Sequence, residues 1–211
     1  MKKIIAVDGP AGAGKSTVSK IVAQKLGYTY IDTGAMYRAV ALKSSQSNED
    51  LADIIKDINI ELDDKARVFL DRQEVTKEIR TPEMSKLASD VSKLGFVREK
   101  LTDLQRKMAQ RGEVIMDGRD IGTQVLPNAD LKIFLTASIE ERTRRRFEEL
   151  QTKGQDVNFD SLKNEITLRD KQDSEREIAP LKQAEDAILI DSTNLTIDQV
   201  VEKILMLCSI N

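Results

Sequence analysis

Nine consecutive residues carry the clearest chemistry: Gly9-Pro10-Ala11-Gly12-Ala13-Gly14-Lys15-Ser16-Thr17 fits the pattern G-x-x-x-x-G-K-[ST], between a short apolar run and an amphipathic stretch. In that setting each residue type has a task. The glycines let successive backbone N–H groups curl around an anion, and the start of the following helix adds partial positive charge. Lys15 is then expected to reach the β- and γ-phosphates of a nucleoside triphosphate, and the Ser16 hydroxyl to hold its Mg²⁺.

A second group of residues is polar at the ends of apolar runs. Asp117 follows Val114-Ile115-Met116, the position of a carboxylate that holds the metal through a water. An Asp there also serves as a plain turn or cap, and both readings stand. The run continues as Gly118-Arg119-Asp120-Ile121-Gly122-Thr123, adding a guanidinium and a second carboxylate. Tyr30-Ile31-Asp32-Thr33-Gly34-Ala35-Met36-Tyr37-Arg38 puts Asp32 and Thr33 at a helix start, where capping explains them. It does not explain Arg38, which is unfavourable near a helix N-terminus unless an anion is close.

Of the 14 arginines, ten fall between Arg98 and Arg176. Arg142, Arg145 and Arg146 share one predicted helix, and Arg169, Asp173 and Arg176 recur at i, i+4 and i+7 on the next. A guanidinium grips a phosphate with two parallel hydrogen bonds, so such clusters suit phosphate clamping. The alternative for either cluster is a solvated, salt-bridged helix face. Gly154-Gln155-Asp156 breaks the helix pair between them, as a mobile lid requires.

What the chain lacks narrows the chemistry further. It has no histidine and one cysteine, Cys208, so a Ser-His-Asp or Cys-His engine, a His-ligated metal and an internal disulfide are all excluded. Carboxylates, lysines, arginines, hydroxyls and backbone must do the work. Basic residues number 33 against 36 acidic, and aromatics are only 4%, so neither the charge excess nor the stacking surface of a nucleic-acid binder is present. The N-terminal run reaches Asp8 after four apolar residues, too few for a signal peptide or a span. A cytoplasmic protein with neither membrane nor nucleic-acid partner is expected.

The elements that must position these groups alternate along 211 residues. Brief apolar runs at 4–8, 28–32, 114–117, 132–136 and 187–191 read as buried parallel strands. Helical patterns cover 15–26, 35–44, 83–111, 139–153, 159–173 and 197–207, with Gly95 a candidate break in the third. Strand and helix in alternation imply an open α/β sheet, which places ligands at the carboxyl edge of its strands. One stretch departs from this rhythm. Residues 57–80 alternate apolar and polar around the turns Asp63-Asp64-Lys65 and Asp71-Arg72-Gln73, the pattern of a small antiparallel meander inserted between two helices.

Taken in order, these segments resemble the bacterial cytidylate kinase family, among the nucleoside monophosphate kinases. The resemblance is carried by GPAGAGKST at 9–17, IDTGAMYRAV at 31–40, DGRDIGT at 117–123, and RDKQDSEREIAPL at 169–181 with DAILIDST following. It spans the chain; the last three stretches are specific, whereas the phosphate loop is widely shared. It implies one P-loop kinase domain over 1–211, a three-layer α/β fold with about five parallel strands. An acceptor-binding region at 33–105 would include the β insertion, and a helical lid would cover 142–176. The implied reaction moves the γ-phosphoryl group of ATP, with Mg²⁺, to CMP or dCMP in pyrimidine nucleotide metabolism, and the implied working form is a monomer.

Residue by residue, the resemblance implies that Gly9 through Thr17 hold ATP and that Thr33, Arg38, Arg119 and Arg176 hold the acceptor phosphate. Ser89, Arg98 and Asp120 match positions that read the cytosine ring, and Arg169 and Asp173 those that contact the sugar. Arg142, Arg145 and Arg146 resemble lid positions facing the transferring group. Thr33 stands where the family more often has serine, and keeps the hydroxyl. The missing histidine is no obstacle, because a phosphate monoester with a second pKa of about 6 is already a nucleophile at neutral pH. Two other classes share part of this pattern. A guanine-reading switch carries [NT]-K-x-D, which Thr152-Lys153-Gly154-Gln155-Asp156 misses by one residue. A P-loop kinase for a different nucleotide or a small metabolite is separable from the first reading by a panel of acceptors.

Overall fold

The computed structural model describes residues 3–63 and 65–210. The chain begins with β1 (Ile4–Asp8), α1 (Lys15–Leu26), β2 (Thr29–Asp32), α2 (Thr33–Gln46) and α3 (Leu51–Asp57). Three short strands follow, β3 (Ile60–Leu62), β4 (Val68–Leu70) and β5 (Gln73–Glu74), then α4 (Pro82–Val91) and α5 (Gly95–Ala109). The remainder is β6 (Val114–Gly118), a π-turn (Ile121–Val125), β7 (Leu131–Thr136), α6 (Ile139–Thr152), α7 (Phe159–Glu175), β8 (Ile188–Asp191) and α8 (Ile197–Ile210).

The five apolar runs form one all-parallel sheet in the order β2-β6-β1-β7-β8. Successive strand residues face opposite layers, which makes the runs apolar throughout. Ile5, Val7, Ile115 and Ile133 pack against Val18 and Val22 of α1 and Val200 and Ile204 of α8. Ala6, Ile31, Val114 and Met116 face the other way, onto Ala109 of α5 and Ile121. The register sets Val7 beside Asp117, Asp8 beside Gly118 and Asp32 beside Asp117, so three polar strand ends emerge together at the carboxyl edge.

In a separate core, Met36, Val40, Ile54, Ile60, Val68, Ile79 and Leu101 join α2, α3 and α5 to the small sheet β3-β4-β5. That sheet is the expected meander, with Ile60 opposite Leu70 and Phe69 opposite Glu74. Its second turn uses Asp71 and Arg72 at φ 49° and 72°; Asp64, in the first expected turn, lies outside the described residues. A third cluster joins α6 to α7 through Leu150, Leu162 and Ile166, with Phe147 and Phe159 edge to face at 5.6 Å.

Three boundaries differ from the sequence expectation. The predicted helix over 83–111, with Gly95 its candidate break, is two helices, α4 and α5, divided at 92–94 just before that glycine. Leu94 is extended (ψ 120°), and the Arg98 guanidinium takes the Ser92 carbonyl at 3.1 Å, so the break satisfies its own backbone while aiming Arg98 inward. Helix α3 was not predicted: seven residues burying only Ile54 and Ile55 are too few to show a period. Helix α2 exceeds its predicted span at both ends, because Asp32 caps it by accepting from Ala35 N at 2.9 Å. No helix among the described residues is long and apolar enough to cross a membrane.

Candidate active site

The phosphate loop leaves β1 through Gly9 at φ 148°, where a Cβ would sit 1.9 Å from the Leu135 carbonyl oxygen; only glycine fits. Gly12 and Gly14 also have positive φ, at 76° and 90°. Lys15 opens α1, buried at 6% exposure, and its Nζ donates to the Pro10 carbonyl at 2.8 Å. Burial and the neighbouring Arg119 lower the Lys15 pKa to about 7, against the pull of Asp117 and Asp8. The ammonium is folded back within a loop shaped for an anion.

Below the loop, Ser16 Oγ donates to Asp117 Oδ2 at 2.8 Å and the Tyr30 hydroxyl donates to Oδ1 at 2.8 Å. Burial, and then the charge of Asp32, raise the Asp117 carboxyl above the usual range. Two hard oxygen donors side by side suit Mg²⁺. Among the described residues no cluster of three or more His, Cys, Asp or Glu could hold a metal unaided, so the donor set fits an ion whose remaining ligands are phosphate and water.

Across the cleft, Thr33 Oγ1 donates to the Asp117 carbonyl oxygen at 2.8 Å. The anion that Arg38 requires is present in part as Asp32, 3.1 Å away, which also lies 3.7 Å from Arg80. Arg119 Nε donates to Asp173 Oδ2 at 2.9 Å. Asp120 takes two arginines, pairing with Arg98 and lying 3.6 Å from Arg176. Ser89 is half-buried and lines the same cleft as Arg98 and Asp120.

Three guanidinium nitrogens stay buried without a hydrogen-bond partner: Nε of Arg38, Nε of Arg169 and Nη2 of Arg176. All three residues line a cleft of about 1730 Å³ that runs from the phosphate loop to α4. Burial and then Arg119 lower the Arg169 pKa to about 10, and burial and then Arg98 lower that of Arg176. Crowded, buried cations that still carry unbonded N–H groups leave room for further acceptors in the cleft.

Of the four arginines of α6, the three expected at the site diverge. Arg145 lines the cleft, donating to Glu141 at 2.8 Å and to the Ser192 carbonyl at 2.7 Å. Arg146 also lines it, paired with Glu149 at 2.7 Å. Arg142 does not: it donates to the Ala137 and Ala11 carbonyls at 2.9 and 3.0 Å and pairs with Asp170 at 2.6 Å, tying the phosphate loop to α7. Gly9 and Pro10 shape the loop from behind, while Ala11 to Thr17 line the cleft. Tyr37, stacked under Arg98 at 5.5 Å, and the loop Ser192–Thr196 after β8 also line it. Sequence reasoning missed both. The signal for the second was topological, since any loop after a parallel strand opens onto the carboxyl edge.

The glycine loop at the end of the central parallel strand, facing a cleft rich in arginine, defines the class: a P-loop protein of the kinase type. A family model described as cytidylate kinase matches residues 5–209. The chain is 57% identical over 217 aligned positions to the cytidylate kinase of Caldicellulosiruptor bescii, covering 98% of this chain and 96% of that one. It is 56% identical to that of Caldicellulosiruptor saccharolyticus, with the same coverage. An uncharacterized protein from Eubacterium ventriosum, 14% identical, superposes with a TM-score of 0.58 over the whole of both chains, a likeness of fold alone. The chain belongs to the cytidylate kinase family.

Proposed function

We infer that the protein transfers the γ-phosphoryl group of ATP to CMP, and to dCMP, giving ADP and the corresponding diphosphate. The observation that carries this reading is a set of buried guanidinium nitrogens across the cleft from the phosphate loop that make no hydrogen bond: Nε of Arg38, Nε of Arg169 and Nη2 of Arg176, the last having only Asp120 at 3.6 Å. A monoester phosphate supplies the missing acceptors. The family relationship supports the same donor and acceptor.

Catalysis then consists of positioning and charge neutralisation. An oxygen of the acceptor dianion attacks the γ-phosphorus, the bond from that phosphorus to the β–γ bridging oxygen breaks, and ADP leaves. No proton has to be removed first. The loop amides and Lys15 hold the donor phosphates, and Lys15 exchanges the Pro10 carbonyl for them. Arg38, Arg119 and Arg176 hold the acceptor phosphate in line, with Thr33 beside it. Mg²⁺ bound with ATP supplies neutralisation of the donor phosphates, and Ser16, with Asp117 through water, would hold it. Arg169 and Asp173 contact the sugar, and Ser89, Arg98 and Asp120 read the ring. An ionised aspartate only accepts, so Asp120 suits the exocyclic amino donor of cytosine and opposes the oxygen acceptor that uracil has instead.

Within the single domain of 1–211, residues 33–105 serve the acceptor and 142–176 form the lid that excludes water from the transfer. A coupled assay for ADP formation with CMP, dCMP, UMP, AMP, GMP and small hydroxylated metabolites tests the reading. CMP and dCMP should be the preferred acceptors; preference for any other overturns it.

A further inference from the structure

Asp8 touches neither nucleotide in the chemistry above, yet it is a carboxylate at 4% exposure at the end of the strand that leads into the phosphate loop. It ends β1, and Gly9 of the phosphate loop follows it directly. Its Oδ1 accepts from Ile121 N at 2.8 Å and its Oδ2 from Gly122 N at 2.7 Å. In the sheet register Asp8 also lies beside Gly118. One residue therefore fastens both ends of the segment 118–122, by its backbone at one end and its side chain at the other. Between the fastened ends stand Arg119 and Asp120.

Such a fastening has a purpose only if the height of that segment above the loop matters. Charge-assisted bonds from a carboxylate to two backbone amides are short and directional, and in a buried site they resist sliding. Burial raises the Asp8 carboxyl to about 6, with the Gly122 and Ile121 amides acting against it, so the ionised form at neutral pH depends on those two donors. Gly122 is part of the device: a Cβ there would come within 3.1 Å of Lys132 Cδ and 3.4 Å of Asp8 Oδ2.

We propose that Asp8 is a positioning residue that sets Arg119 and Asp120 against the phosphate loop, and so governs acceptor affinity and base choice without touching either nucleotide. The inference rests on the assignment of Arg119 and Asp120 to the acceptor.

The test is Asp8→Asn, which keeps the shape but turns an NH₂ toward one of the two amides. In steady-state assays KM for CMP should rise about tenfold, the worth of one lost hydrogen bond to a charged group. The preference for CMP over UMP should narrow, and KM for CMP should rise by more than KM for ATP, which moves only as far as Lys15 feels the lost Asp8 charge. A merely structural role would lower thermal stability or the active fraction and leave both KM values and the CMP/UMP ratio unchanged, which overturns the proposal. Should Asp8→Asn fail to fold, Asp8→Ser decides, because its hydroxyl can take only one of the two amides, with the same pattern expected. Failure of both to fold makes the contact a folding element and also overturns the proposal. The unaltered enzyme in the same assays keeps the questions apart, because its inability to phosphorylate CMP would overturn the acceptor reading itself.

Discussion

The two halves of the cleft are built on opposite plans. The donor half is nine consecutive residues whose binding groups are mostly backbone, shaped by glycines at positive φ and by a strand end that leaves no room for a Cβ at Gly9. The half proposed for the acceptor draws Thr33 and Arg38 from α2, Ser89 from α4, Arg98 from α5, Arg119 and Asp120 from the end of β6, and Arg169, Asp173 and Arg176 from α7 and its end. Its binding groups are charged side chains, several paired with one another: Arg119 with Asp173, Arg98 with Asp120. A contiguous backbone site is fixed by local geometry and changes little on binding. A dispersed side-chain site must exchange internal partners for ligand, and there specificity can be tuned.

The largest test of that contrast is Lys15→Ala. Turnover should fall by about 10³-fold, in line with the loss of a preorganised charge on a transferring group, while far-ultraviolet circular dichroism stays that of the folded protein. Near-normal ADP production by the folded variant would remove the donor site from this loop.

Asp120→Ala addresses the acceptor half. An unpaired buried polar group costs about 1–3 kcal/mol, so the ratio of kcat/KM between CMP and UMP should narrow by about fivefold to a hundredfold. A ratio equal to that of the unaltered enzyme would make Asp120 only the ion-pair partner of Arg98.

A smaller effect concerns the α6–α7 pair. Amide hydrogen exchange across 139–180 should slow several-fold when CMP and a non-hydrolysable ATP analogue are added together. Exchange unchanged at saturation would return the arginines of these helices to a solvated-face role.

The smallest is a pH effect on the contact that ties α7 to the floor of the cleft. Burial pushes the Asp173 carboxyl up, but Arg119 and Arg169 outweigh it and hold the group below the usual carboxylate range. A depressed folded-state pKa contributes stability that is fully present above the unfolded value of about 3.9. That contribution is lost as pH falls through the folded-state value. Asp173→Asn should therefore melt a few degrees below the unaltered protein at pH 7, with the gap closing only below pH of about 4. A gap that closes well above that pH would show that Arg119 does not hold the charge.

The same contrast explains what the sequence revealed. The five strands were legible because a parallel sheet covered on both faces writes itself as apolar runs, and the phosphate loop because its residues are neighbours in the chain. The acceptor half was legible mainly through resemblance; composition and spacing alone gave arginine clusters with a bland alternative. Arg142 illustrates the difficulty. It sits three positions before Arg145 on the same helix, yet it serves as a strut between Ala11 and Asp170. Asp8 was read only as the end of a strand, because its partners Ile121 and Gly122 are more than a hundred positions away. Helix α3 escaped because two buried isoleucines make no period.

The small cluster that joins α6 to α7 has a practical consequence for instrumenting the molecule. Leu150, Leu162 and Ile166 pack among themselves and with Phe147 and Val157 rather than into the main sheet. The tip of the hairpin at 154–156 is exposed, and Gly154 at φ 72° has nothing within 4 Å of where a Cβ would stand. An exposed turn that belongs to neither large core tolerates added chain better than any helix here. A dye or a short peptide tag grafted at 155 or 156 would ride on the hairpin without repacking it, turning the protein into an optical reporter of its own nucleotide occupancy.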